Sequence, residues 1–255
     1  NAEMLYHLGL AFFYKRFYTE ARELLSTAVN LNPQYDEALN VLGQAELALG
    51  NSDKAVAAAK NAVAAKPNYA DYRNNLGEAL LAAKHLTEAQ KEFEEAIGVN
   101  LYYSDAYFNY GLALVLEAQD DSKSRIRPNL VSKAIDFFNK ASLTYVDYRT
   151  AAFEKGVAAL NSGDLKLGFN LLRKVREDKK LVHGRRYAPY HMKYALHPQW
   201  ITEQAVQERI TFLEQEISRN PNYVDLHLEL SRCYLEHSRM IWKKGVDSYK
   251  KTLGI

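Results

Sequence analysis

Asparagine side chains recur at matched positions along the first half of the chain. Asn40 and Asn74 lie 34 residues apart, and the same step separates Asn75 from Asn109. A carboxamide carries both a hydrogen-bond donor and an acceptor, so a row of them can pair with the main chain of an extended peptide without dictating its sequence. These residues favour non-covalent recognition of a polypeptide. The alternative is that they are ordinary solvated polar residues on a helix face.

Residues that could support catalysis or metal binding are arranged less favourably. His183, His191 and His197 do not have the i, i+4 spacing of helical metal ligands, and no cysteine or acidic cluster accompanies them. The sequence contains no Gly-rich phosphate loop, nucleophile elbow, His-Glu-x-x-His or Cys-x-x-Cys motif. We therefore predict no catalytic, cofactor or metal site, and a protein that is not an enzyme.

The stretch 183–200 interleaves cationic residues with tyrosines, as single-strand nucleic-acid platforms do. It can also be an irregular connector whose tyrosines pack on neighbouring helices, or a surface for protein docking. The formal net charge is only +2, which is too small to indicate a polyanionic partner. We favour the connector, and nucleic acid is an unlikely partner.

Acidic residues form a second periodic column. They stand six residues before a recurring glycine, or before Ser231 in the last case: Glu3, Glu37, Asp71, Asp105 and Asp225. Carboxylates near the start of a helix interact favourably with its dipole, typically by about 0.3–1 kcal/mol each. The same column could instead select basic ligands, and both interpretations stay open.

The elements that position these side chains follow from the glycines. Gly9, Gly43, Gly77 and Gly111 are spaced 34 residues apart, alongside columns of leucine and alanine. Glycine inside a helix costs about 0.5–1 kcal/mol relative to alanine, so its recurrence indicates close contact between two helices. We expect Gly43 of one helix to meet Ala55 and Ala62 of the next. Proline-containing turns separate successive pairs: Pro33, Pro67 and Pro221.

Helix pairs that repeat every 34 residues with Leu-Gly, Ala and Pro at these positions resemble the tetratricopeptide repeat (TPR) family. The resemblance is strong over 2–35, 36–69 and 70–103, interrupted over 104–148 and weaker over 149–182. In 149–182, Gly168 replaces the second-helix alanine and Lys180 the proline. The resemblance implies an all-α fold, a right-handed α-solenoid of antiparallel helix pairs.

This organisation predicts five units in residues 1–182. The step from Gly111 to Gly156 is longer than the others and places an insert at about 117–133. The insert is either a long loop or an extension of one helix followed by a helix that begins at Pro128. Residues 183–255 are expected to be an irregular connector followed by degenerate TPR-like helices, one of which begins at Gly245. We also expect the chain to be a segment of a longer protein.

In TPR proteins, the side of the first helices opposite the glycines faces a concave groove. The resemblance therefore implies a partner-binding set: Tyr6, Phe13, Asn40, Gln44, Asn74, Asn75, Glu78, Phe108, Asn109 and Phe153. We expect the aromatic members to anchor apolar side chains and the asparagines to face solvent when no ligand is bound. The asparagine column resembles part of the ladder in the O-linked N-acetylglucosamine transferase superhelix. No Lys or Arg belongs to the set, unlike in the TPR clamps that bind C-terminal carboxylates.

The predicted function is a protein-interaction scaffold or adaptor that binds a peptide or protein segment in the groove. The alternative is a substrate-docking or regulatory arm of a larger enzyme or of an envelope or secretion assembly. RNA binding by helical repeats is disfavoured by the near-neutral charge. No apolar run approaches the roughly 20 residues of a membrane span. Homo-oligomerisation and the compartment are left open, with the cytoplasm favoured over the periplasm.

Overall fold

The computed structural model describes residues 1–119, 127–144, 148–179, 202–219 and 224–253, which are helical and contain no strand. Twelve helices are described in these ranges: α1 (Ala2–Tyr14), α2 (Tyr18–Leu31), α3 (Asp36–Ala48), α4 (Ser52–Ala65), α5 (Ala70–Ala82), α6 (Leu86–Val99), α7 (Ser104–Ala118), α8 (Pro128–Thr144), α9 (Ala151–Asn161), α10 (165–179), α11 (Glu203–Arg219) and α12 (Val224–Leu253). We call the pairs α1/α2 to α9/α10 units 1 to 5. From α1 to α7, each first helix contacts the next first helix, which confirms the predicted solenoid of helix pairs.

The recurring glycines lie where the two helices of a unit approach most closely. A Cβ atom at Gly77 would lie 2.4 Å from the ring of Phe93. A Cβ at Gly43 would lie 3.2 Å from the carbonyl oxygen of Ala55 and 3.3 Å from the backbone nitrogen of Ala59. Glycine is required because any larger side chain would push the helices apart. Equivalent contacts join Gly9 to Leu25, Gly111 to Phe138 and Gly156 to Leu172.

One predicted member of this contact lies elsewhere. Ala59, not Ala62, is the second alanine that faces Gly43. Ala62 is buried against Leu39 and Tyr72 instead, so it packs one unit against the next. The reason is geometric, because Ala55 and Ala59 are one turn apart on α4 and present a continuous small surface to α3.

The turn inside a unit is built on a left-handed residue seven positions after the glycine. These residues are Arg16 (φ 67°), Gly50 (φ 81°), Lys84 (φ 64°) and Gly163 (φ 88°). The next residue then bonds back to the helix, as where the His85 N–H donates to the Leu80 carbonyl at 2.9 Å. This closure satisfies carbonyls that the end of the helix leaves without partners.

The insert lengthens the helices of unit 4 on both sides. α7 has 15 residues against 13 in α5, and α8 begins at Pro128, where the missing proline N–H is not needed. Glu117 at the end of α7 pairs with Arg127 at 2.8 Å and accepts a hydrogen bond from Gln90 at 2.8 Å. α8 therefore begins at Pro128, and residues 120–126 of the predicted insert lie outside the described residues.

Helices α11 and α12 form a hairpin around Val206, Ile210, Leu213 and Cys233. α12 continues without a turn to Leu253, so the prediction that a new helix begins at Gly245 is wrong. Glycine alone does not end a helix, because its cost of about 1 kcal/mol is offset by neighbours that favour helix.

The predicted connector at 183–200 and its three histidines lie outside the described residues. In the part of the chain that the structure describes, no cluster of His, Cys, Asp and Glu could hold a metal ion. None of the helices there is long and apolar enough to cross a membrane.

Candidate functional site

The side of α1, α3, α5 and α7 opposite the glycines, which we call the first-helix face, carries a connected row of polar side chains along α3, α5 and α7. The Nδ2 of Asn75 donates to Oδ1 of Asn40 at 2.9 Å, and that of Asn109 donates to Oδ1 of Asn74 at 2.8 Å. Asn109 also donates to Oε1 of Glu78 at 2.7 Å. The structure brings these predicted residues together, and their side chains hydrogen-bond to one another.

These bonds form a directional chain, which we call the amide chain. Asn74 donates to Asn75 at 3.5 Å, which links the two asparagine pairs. At one end, Nε of Arg176 donates to Oδ1 of Asn109 at 3.3 Å; at the other, Asn40 donates to Asp71 at 3.4 Å. A guanidinium only donates and a carboxylate only accepts, so the two ends fix the orientation of every amide between them.

The asparagines do not face solvent, and that prediction is wrong. Asn74 is 1% exposed, Asn109 2% and Asn75 9%. Their burial is tolerated because each amide has a partner, whereas an unpaired buried amide would lose the full free energy of its hydration.

Gln44 differs from the asparagines. It is half-buried on α3, one turn after Asn40, and it hydrogen-bonds to no other residue that the structure describes. Its carboxamide therefore keeps unused donors and an acceptor.

The acidic column links neighbouring units. Asp71 accepts hydrogen bonds from the Tyr103 hydroxyl at 2.8 Å and from Asn75 at 3.3 Å. Burial raises the pKa of Asp71 above its ordinary value, and the negative charges of Asp105 and Glu78 act in the same direction. Asp71 forms no ion pair with the described part of the chain.

Asp105, the equivalent residue of unit 4, is held by cations. Lys179 lies 2.5 Å from its Oδ1 and Arg176 lies 3.1 Å from its Oδ2, while the Tyr148 hydroxyl donates at 2.6 Å. Burial would raise the pKa of Asp105, but the charges of Arg176 and Lys179 outweigh burial and hold the pKa well below its ordinary range. Arg176 also pairs with Glu78 at 3.0 Å. We call Glu78 and Asp105 the acidic cluster.

Arg176 and Lys179 contact the predicted polar face and were missed by the sequence reasoning. Both lie in the last described turn of α10, a second helix, whereas the groove set was drawn only from first helices. The available signal was a pair of cations three residues apart, in the unit where Lys180 replaces the proline. Arg176 is buried, and its ion pair with Glu78 joins residues that lie 98 positions apart in the sequence.

The aromatic members of the predicted set divide into two groups. Phe108 is fully buried and stacks on Tyr148 at 4.5 Å, and Phe153 is buried in the same core. Both are packing residues, so the predicted role as exposed anchors is wrong for them. Tyr6 and Phe13 on α1 are half-buried and pack against the core of units 1 and 2, and burial raises the pKa of the Tyr6 hydroxyl well above its ordinary value.

Helix α11 lies near this aromatic end. Burial lowers the pKa of His7 to about 3, and the positive charge of Arg209 on α11 acts in the same direction. Burial raises the pKa of Tyr14 to about 12, while Arg209 opposes that shift. His7 is therefore neutral at physiological pH, and a cation approaches the face at unit 1 as well as at units 3 and 4.

Among solved structures, TTC0263, a TPR protein of Thermus thermophilus, has 18% identity and a TM-score of 0.51, with 92% of this chain and 100% of that chain covered. MamA has 22% identity over 66% of this chain and 92% of its own, with a TM-score of 0.47. YrrB, described as a TPR protein with an unusual peptide-binding site, has 17% identity over 76% and 90%, with a TM-score of 0.46. The likeness to TTC0263 supports the solenoid fold.

A search of curated proteins gives no match. A family model described as tetratricopeptide repeat matches residues 6–70, 42–97 and 74–142, which together span more than half of the sequence. With the spaced glycines and the helix pairs that they pack, these matches show that the chain belongs to the tetratricopeptide repeat family.

Proposed function

We propose that the protein is an interaction scaffold that binds a peptide segment of a partner protein on its first-helix face. Membership of the TPR family supports the scaffold, because stacked helix pairs create extended surfaces that such proteins use for binding. The observation that carries peptide binding is the half-buried carboxamide of Gln44, which has no hydrogen-bond partner among the described residues. A peptide main chain would supply both a donor and an acceptor for it.

The surroundings of Gln44 suit an extended segment with an apolar end. The half-buried rings of Tyr6 and Phe13 at unit 1 would bury further apolar area against a peptide at low cost in side-chain entropy. The buried asparagines contribute differently, because their amides are already paired. They hold the first helices in register and keep the face polar.

Selection of peptides from a displayed library on the immobilised full chain tests the proposal. The tightest peptide is then titrated against wild type, Gln44→Ala and Tyr6→Ala. Loss of a net hydrogen-bond contribution of about 0.5–1.5 kcal/mol predicts affinity about 2- to 12-fold weaker for Gln44→Ala. Asn61→Ala is the matched control, because Asn61 is an exposed amide on the second helix α4.

The Asn61→Ala variant should bind the selected peptide as wild type does. Equal affinity of all four proteins would place the peptide elsewhere and overturn the proposal. Failure to select any peptide would also count against it.

A further inference from the structure

Side chains in the last described turn of α10 reach beyond their own unit to units 3 and 4. Leu172 packs on Gly156 as Phe93 packs on Gly77, so α10 begins as an ordinary second helix. One turn later, Arg176 and Lys179 contact side chains of α5 and α7 rather than of α9. We call this segment, residues 175–179, the α10 tip.

The α10 tip makes charged and polar contacts with side chains of units 3 and 4. Arg176 makes charged contacts with Glu78 at 3.0 Å and with Asp105 at 3.1 Å, and its Nε donates to Asn109 at 3.3 Å. Lys179 pairs with Asp105 and lies 4.5 Å above the ring of Tyr148. The Arg176 side chain is only 8% exposed, so the first-helix face encloses it.

The repeat itself does not require these cations. Asp71 occupies the position of Asp105 one unit earlier, and the polar groups that contact it are neutral: Tyr103, Asn75 and Asn40. Glu37, the equivalent residue of unit 2, pairs at 3.2 Å with Lys66 of its own unit. Asp105 differs from both, because its cations come from a different unit. Two cations three residues apart lie on one face of a helix, so a single turn delivers both.

We propose that the α10 tip is an internal ligand of the first-helix face, and that the partner enters with a basic helical turn that replaces Arg176 and Lys179 on the acidic cluster. This inference rests on the proposed function and names the chemistry of its partner. Displacement of the α10 tip exposes Glu78 and Asp105 near Asp71, whose pKa already responds to both negative charges. A neutral or acidic segment would bury these carboxylates without the compensating cations, so it cannot replace the tip.

A peptide with the sequence of residues 165–179, labelled with fluorescein, serves as the probe. It is titrated into the full wild-type chain and into the full chain carrying Arg176→Ala and Lys179→Ala. The wild-type chain should bind the probe at least 10-fold more weakly than the double variant does, because the wild-type tip occupies the acidic cluster. Affinity for the double variant should fall as salt rises, because the contact is between charges.

Two matched controls separate the basic contact from general loosening of unit 5. Arg173→Ala with Lys174→Ala removes the same charge from exposed positions of α10 and should leave binding at the wild-type level. The probe peptide with alanine at the two tip positions should lose at least 10-fold in affinity for the tip variant. If the tip variant fails to fold, judged by circular dichroism, Lys179→Ala alone is used, because Lys179 lies nearer the surface.

The outcomes distinguish this inference from the proposed function. Equal binding of the probe by wild type and the tip variant, or of the basic and alanine peptides by the tip variant, overturns the inference. Binding of library-selected peptides that depends on Gln44 but is unaffected by the tip substitutions would uphold the proposed function and overturn the internal ligand. Probe binding restricted to the tip variant, and weakened by Glu78→Gln in that background, supports the internal ligand even if no library peptide is found.

Discussion

The substitution Arg176→Met isolates the contribution of the buried cation to stability. It removes the guanidinium that pairs with Glu78, and it takes the Arg176 donor away from the Oδ1 of Asn109. Asp105 keeps Lys179 and the Tyr148 hydroxyl. Breaking a buried pair typically costs about 3–5 kcal/mol, so we expect a loss of about 3 kcal/mol, at the lower end because Asp105 stays paired.

Urea unfolding followed by circular dichroism and by tyrosine fluorescence measures this loss. Arg173→Met is the matched control on the same helix, because Arg173 pairs with Glu177 at 3.6 Å with both side chains more than half exposed. An exposed pair of this kind contributes about 0.5 kcal/mol or less. Adding Glu78→Gln to Arg176→Met should recover part of the loss, with a coupling of about 1–2 kcal/mol, since neutralising one buried carboxylate relieves the uncompensated charge. An Arg176→Met variant no less stable than Arg173→Met would refute the buried ion-pair reasoning.

Three further predictions concern the fold. Burial lowers the pKa of His7 to about 3. Below about pH 6.5 the unfolded chain therefore takes up a proton that the folded chain does not. The free energy of unfolding should fall as the pH drops from about 6.5 toward 4.5. The slope should approach about 1.4 kcal/mol per pH unit, and the difference between wild type and His7→Gln in urea titrations at about pH 7, 6 and 5 isolates it. Gly77→Ala should lower stability by about 1–3 kcal/mol in thermal melts, because the new Cβ would lie 2.4 Å from Phe93. Gly98→Ala is the control: no atom lies within 4 Å of its new Cβ, so it should be neutral or stabilising. Lys84→Gly should stabilise by about 1 kcal/mol, because Lys84 has φ of 64°; a lower melting temperature for that variant would contradict the strain argument.

The helix pairs could be predicted from the sequence because each column expresses a local requirement. Gly77 recurs because Phe93 occupies the space of a side chain, and that steric demand repeats in each unit. Gly245 misled the prediction because glycine in the absence of a close neighbour carries no such demand.

The candidate site was predictable in part. Helical periodicity places Asn40, Asn75 and Asn109 on the first-helix face, where the structure has them. Their pairing with one another was missed, because it depends on how closely successive first helices approach. The position of Arg176 was missed for a stronger reason: its partner Glu78 is 98 residues away, and a repeating pattern holds no information about which distant units meet.

The amide chain connects the two ends of the polar face. Arg176 donates into Asn109, and each following amide donates onward until Asn40 donates to Asp71. Removal of the α10 tip leaves the Oδ1 of Asn109 without its Arg176 donor, while Glu78 and Asp71 still accept hydrogen bonds from the chain and hold its direction. In the proposed exchange, a partner cation would restore the same donor, so binding would replace one occupant by another without leaving buried polar groups unpaired. A partner without a cation would not replace the contacts that Arg176 makes with Asn109 and Glu78, so the amide chain and the acidic cluster favour the same chemistry in the ligand.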